Sequence, residues 1–150
     1  MNILISACLI GCKCRYDGKD KNTIDTNELK KHFNLFPVCP EVDGGLSVPR
    51  APAEIKGSKV INTEGRDVTE EYTKGAMAAL KTAKENGCTA ALLKARSPSC
   101  GKGEIYDGSF SKTLTKGNGI LVRMLSDEGI AVYTENEIDE LIKQKTEGNL

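Results

Sequence analysis

Charge of one sign, long apolar runs and histidine are all scarce in this 150-residue chain, and each shortage closes off a class of function. Lysine and arginine number 21 against 21 aspartates and glutamates, so no long-range field draws the protein to nucleic acid or to an anionic membrane. Nucleic acid is therefore not an expected partner. No apolar run approaches the ~18 residues that a membrane span needs. The N-terminus shows no signal-peptide pattern, so no membrane association and a cytoplasmic location are expected. The single histidine, His32, falls on a predicted helix away from the loops and reads as a surface residue. Internal repeats, low-complexity segments and linkers are missing too, which predicts one domain over residues 1–150.

What the chain does have is six cysteines. With an export signal they would read as a disulfide framework; without one, metal binding or catalysis is the stronger reading. Their placement follows from the predicted elements. Asn2-Ile3-Leu4-Ile5-Ser6-Ala7 is a compact apolar run of the kind that forms a buried parallel strand, and Cys8 follows it. Asp25 and Glu28 frame a helix over about 26–33, with Leu29 and Phe33 at helical spacing. Residues 35–38 form a short strand that gives way to a loop at Cys39. The segment 40–66 reads as an irregular insertion, extended through Pro49 and Pro52 and ending in a small hairpin near Lys59-Val60-Ile61-Asn62. Asp67 and Glu70 have capping-box spacing, and Tyr72, Ala76, Ala79, Leu80 and Ala83 share one face of a long helix that Gly87 stops. Thr89–Lys94 is a third strand, followed by the loop holding Ser97, Ser99 and Cys100. A helix marked by Ile120, Leu121, Met124 and Leu125, a strand at 130–133 and a last helix capped by Thr134 and Glu137 complete the chain. Strands alternating with helices predict an α/β, Rossmann-like, three-layer fold: a central parallel sheet of four to five strands with helices on both faces.

In such sheets sites form beyond the carboxyl ends of the strands. Cys8, Cys39 and Cys100 all fall at or just after such ends, on three different strands, whereas Cys88 falls at the opposite end and reads as a small buried hydrophobe. Each of the three alone reads most simply as a core residue. Together, with proline or glycine nearby and Glu41 beside Cys39, they point to a joint site. Pro37 and Pro40 stiffen the backbone around Cys39. Thiolates at about 2.3 Å from a metal suit zinc or an iron–sulfur cluster. Cys12 and Cys14 either reach this site or flank it.

Six ordered motifs carry a resemblance over nearly the whole chain: Ser6-Ala7-Cys8-Leu9, Arg15-Tyr16-Asp17-Gly18, Pro37-Val38-Cys39-Pro40-Glu41, Pro49-Arg50 with Glu54, Ser97-Pro98-Ser99-Cys100-Gly101 and Ile105-Tyr106-Asp107-Gly108. In these the sequence closely resembles the thiouracil desulfurase family of small bacterial proteins. The resemblance implies a 4Fe-4S cluster held by Cys8, Cys39 and Cys100, with one iron left open to the sulfur of a thiolated pyrimidine and sulfur released as hydrogen sulfide. It maps the catalytic carboxylate onto Glu41 and a catalytic serine onto Ser97.

The residues themselves leave some roles open. Glu41 can transfer a proton beside the site or cap loop amides. Ser97 and Ser99 can donate to a substrate ring or close the turn around Pro98. Arg15, Asp17 and Asp107 are candidate substrate contacts, although Asp-Gly pairs are first of all turn formers. Arg50 and Glu54 can pair across a loop, and Gly117 with Gly119 can cradle an anion at a helix start. The rival classes are a non-catalytic zinc or cluster module, closed by a fourth thiolate from Cys12 or Cys14, and a zinc hydrolase.

Overall fold

A computed structural model of the chain describes residues 1–12, 15–18 and 24–149. Cys14 lies outside the described residues. In chain order the elements are β1 (Asn2–Ser6), a 3-10 turn (Ala7–Ile10), α1 (Thr26–His32), β2 (Asn34–Val38), α2 (Pro40–Asp43), β3 (Ala53–Lys56), β4 (Lys59–Asn62), α3 (Thr69–Glu85), β5 (Ala90–Leu93), β6 (Glu104–Tyr106), β7 (Leu114–Lys116), α4 (Ile120–Asp127), β8 (Ala131–Thr134) and, after a second 3-10 turn, α5 (Ile138–Thr146).

The apolar run at the start of the chain becomes the inner strand of a four-stranded parallel sheet ordered β2-β1-β5-β8. Ile3, Leu4 and Ile5 have no exposed surface, because both faces of the strand are covered. Alternation then sorts the core into two layers. Leu4, Ala91, Leu93 and Val132 pack with Ala76, Ala79 and Ala83 of α3 and with Leu121, Val122 and Leu125 of α4. Ile3, Ile5, Ala90 and Leu92 pack on the other face with Leu29 of α1, Phe33 and Leu141 of α5. Each fully buried leucine, isoleucine or valine among them contributes about 1.5–3 kcal/mol, and each alanine about 0.8 kcal/mol or less. The three-layer parallel architecture is the one the strand–helix alternation predicts.

Several local expectations change. Cys8 follows β1 as expected, and the loop predicted after it begins as a 3-10 turn over Ala7–Ile10, with Ala7 and Leu9 buried. Residues 40–66 begin with the helix α2 before reaching the β3–β4 hairpin. Pro40 occupies the first helical position, where its fixed φ is pre-set and its missing N–H is not needed. At α3 the capping residue is Val68, and Asp67 instead accepts from the Thr69 amide at 2.9 Å, so no capping box forms there. The box at Thr134 and Glu137 does form, and Asp25 accepts from the Glu28 amide at 3.1 Å.

The β6–β7 hairpin is additional to the predicted elements. It joins the β3–β4 hairpin through a small cluster of Ile55, Val60, Val68, Tyr72 and Ile105. Glu54 fastens the two hairpins together, its carboxylate accepting from the amides of Gly108 at 3.0 Å and Phe110 at 3.2 Å.

Candidate active site

From β1 the chain crosses to β2 on one side and then returns to β5 on the other. That reversal opens a crevice beyond the carboxyl ends of β1 and β5. Cys8 follows β1, Cys39 caps α2 directly after β2, and Cys100 ends the loop after β5, so all three predicted thiols come to this edge. Cys8 is near enough to Cys39 and to Cys100 for charge on one to act on the other. The Cys8 thiol is pushed up to about 11 by burial first, then by Glu41 and Cys39, against the pull of Lys94 and Arg15. Cys100, only 3% exposed, is pushed up to about 12 by burial, then by Glu41, with Cys8 adding in the same direction and hydrogen bonds from Ser6 and Ser99 opposing.

Glu41 stands at the centre. Its Oε1 accepts from the Ser99 hydroxyl at 2.8 Å and its Oε2 lies 4.0 Å from Cys39 Sγ. Ser99 is fully buried and its Oγ also lies 3.5 Å from Cys100 Sγ, so one hydroxyl links the carboxylate to a thiol. Ser97 closes the turn: its Oγ accepts from the Cys100 amide at 2.8 Å and sits 3.4 Å from Ser99 Oγ. The hydroxyl in contact with the carboxylate is thus that of Ser99, and Ser97 stands behind it.

Arg15 and Asp17 pair with each other, Nε to Oδ1 at 3.4 Å, and the Arg15 charge acts on Cys8. Asp107 forms a turn, accepting from the Ser109 amide at 2.9 Å. The start of α4 holds no anion cradle, because the amides of Ile120 and Leu121 donate to the carbonyls of Pro98 and Ser99 at 2.9 Å each. Cys12 is exposed at the edge of the first loop, and Cys88 is buried at the far end of β5.

Three contributors were not singled out as site residues by their sequence context. Ser6, buried at the end of β1, accepts from the Lys94 amide at 2.9 Å and turns its hydroxyl to Cys100. Lys94 is held by Glu135 at 2.6 Å and lends positive charge to Cys8. Tyr72 accepts from Arg50, and its hydroxyl is held well above its ordinary range by burial and by Glu41. Helical periodicity assigned Tyr72 to the core, which is also true, since it is 4% exposed. Arg50 and Tyr72 both line a cavity of about 380 Å³ between the 45–53 loop and the first turn of α3.

A carboxylate with a serine donor beside three soft sulfur donors fits thiolate-rich metal chemistry. Among the described residues no three His, Cys, Asp or Glu side chains are grouped as a site for one ion. Thiolate donors of this kind suit zinc or an iron–sulfur cluster. The fold and site therefore define a doubly wound α/β protein with a thiol-and-carboxylate centre at its switch point.

Residues 3–137 match the model of the 2-thiouracil desulfurase family, and the chain belongs to that family. The resemblance carried by the six motifs is borne out. The chain is 39% identical to YbbK of Bacillus subtilis (strain 168) over 150 residues, covering 93% of this chain and 99% of that protein. Its structure is similar to that of the 4Fe-4S-dependent thiouracil desulfidase TudS, with a TM-score of 0.92 and 40% identity over 97% of each chain. Among the described residues no helix is long and apolar enough to cross a membrane.

Proposed function

We propose that this protein is an iron–sulfur-dependent desulfurase that hydrolyses the carbon–sulfur bond of a thiolated pyrimidine. The reading is carried by one observation: thiols from the ends of three parallel strands share an edge with a carboxylate that a buried serine holds in place. Cys8, Cys39 and Cys100 would hold a 4Fe-4S cluster. When bound through three thiolates, such a cluster supplies a soft Lewis acid with one open iron for the substrate's sulfur.

The chain's own residues supply the proton chemistry. Water adds its oxygen to the thiocarbonyl carbon, the carbon–sulfur bond breaks, and the products are the oxo-pyrimidine and hydrogen sulfide, with no net oxidation. Glu41 takes the proton from the attacking water and returns it to the departing sulfur. Ser99 orients Glu41 by donating to Oε1, which leaves Oε2 for the water, and Ser97 fixes the turn that carries Ser99. Arg15 and Lys94 offset the negative charge that the thiolates bring. Arg15 with Asp17 lines the approach for the pyrimidine. The cytoplasm suits the reaction because thiols stay reduced there.

Anaerobic reconstitution tests the reading. A brown protein with about four irons per chain that releases sulfide from 2-thiouracil is expected. Stoichiometric zinc, or an iron-loaded protein that releases no sulfide, would refute it.

A further inference from the structure

We propose that Gly75 and Gly44 are positioning residues of this site, because they let α2 lie backbone to backbone on α3 with Cys39 and Glu41 aimed at the other thiols. The inference rests on the functional reading above. Both glycines are seats with no room for a side chain. A Cβ at Gly75, in the middle of α3, would lie 1.7 Å from the Pro40 carbonyl oxygen and 2.5 Å from its carbon. A Cβ at Gly44 would lie 1.9 Å from the Glu71 carbonyl oxygen. The two contacts run in opposite directions across the same pair of helices, so the approach of α2 is fixed at both ends.

The Pro40 carbonyl is held where it is by the Gly44 amide, from which it accepts at 2.9 Å within α2. Relief at Gly75 comes from moving α2 bodily, by about 1.7 Å to restore ordinary contact at 3.4 Å. Cys39 is the cap of α2 and Glu41 is in its first turn, so both move with it. Cys8 and Cys100 stand on other elements and stay. A displacement of this size at a reacting group costs about 10²-fold in rate.

Glycine in a helix interior is otherwise a handicap that alanine removes. This gives the test its sign. Gly75→Ala and Gly44→Ala are compared with Met77→Ala against Met77→Gly, a pair at a 60% exposed position of the same helix that reports what alanine contributes where nothing is touched. Thermal unfolding and circular dichroism are measured on each, with amide NMR spectra of the iron-free chains, iron per chain and sulfide release from 2-thiouracil per iron. At position 77 alanine should raise the melting temperature. At positions 75 and 44 it should lower it, shift the amides of residues 39–46, leave the sheet intact and slow sulfide release per iron about 10²-fold. Gly44→Ala, at the end of the short helix, serves where Gly75→Ala does not fold. Stabilisation at both positions with unchanged amides and unchanged turnover overturns the proposal. A wild-type protein that releases no sulfide refutes the functional reading instead, and the iron-free spectra then still decide whether the glycines seat α2.

Discussion

The two ends of the parallel sheet solve the same problem in different ways. Strands end there, and their last polar groups need partners. At the amino end the partners are backbone and amide groups that close on themselves: Asn34 Nδ2 donates to Asn2 Oδ1 at 2.9 Å, and Asn2 Nδ2 donates to the Asn86 carbonyl at 2.7 Å. Cys88 sits beside them, and burial is the one cause that raises its thiol. At the carboxyl end the polar groups are ionisable and face one another. Cys8 and Cys100 are raised by burial as well, but also by Glu41 and by other thiols. Burial alone does not separate them, since Cys100 is at least as buried as Cys88. The difference lies in the company each thiol keeps.

Exchanging cysteines for serine tests that contrast most severely. Cys8→Ser, Cys39→Ser and Cys100→Ser should each abolish iron loading and bring sulfide release to background, as read by iron analysis and the visible absorption band. Cys88→Ser should keep both. Loss of the chromophore in a folded Cys88→Ser variant would erase the distinction between the two ends.

A smaller but still large effect separates holding from turnover within the carboxyl end. Glu41→Gln keeps the shape that accepts from Ser99 and removes proton transfer, which contributes about 10²–10⁴-fold. Iron per chain should be unchanged while sulfide release falls by that factor. Loss of iron together with activity would make Glu41 structural.

Alkaline titration of the iron-free protein comes next. Cys8 and Cys100 have ordinary values of 9.0 and are raised to about 11 and about 12 in the folded chain. The native state therefore keeps protons that the unfolded chain releases from about pH 9. The resulting stability is present in full below pH 9 and is lost as pH rises through 11 to 12. At roughly 1.4 kcal/mol per pKa unit the loss over both thiols is on the order of 7 kcal/mol, measurable by urea unfolding at stepped pH. Cys100→Ala should flatten the slope more than Cys88→Ala, which removes a thiol raised by burial alone.

The least effect is expected at the amino end. Asn2→Ala removes two hydrogen bonds and should cost about 1–2 kcal/mol of stability in chemical denaturation, with turnover per iron unchanged.

Much of this was legible from residue order. The continuous apolar character of Asn2–Ser6 and Ala90–Leu93 marked strands covered on both faces, and parallel strands put their carboxyl ends, with Cys8, Cys39 and Cys100, on one edge. The α2 helix was not legible, because four residues starting at a proline show no periodicity. The β6–β7 hairpin escaped for a similar reason: three residues such as Leu114-Thr115-Lys116 are too few to alternate. Tyr72 and Ser6 were hidden by having two roles: each is buried in the packing, while the Ser6 hydroxyl turns to Cys100 and the Tyr72 hydroxyl to Arg50. The Glu54 carboxylate spans 54 positions to reach Gly108, a separation that local patterns do not register.

The mounts of the three thiols are each closed by their own backbone hydrogen bonds. Cys12 N donates to Ala7 O at 3.1 Å around Cys8, Asp43 N to Cys39 O at 2.9 Å, and Gly101 N to Ser97 O at 2.9 Å around Cys100. None of these bonds involves a thiol side chain. The sulfur can therefore be exchanged without unfastening the turn that carries it, so a function lost in a Cys→Ser variant reads as lost chemistry and not as a lost fold.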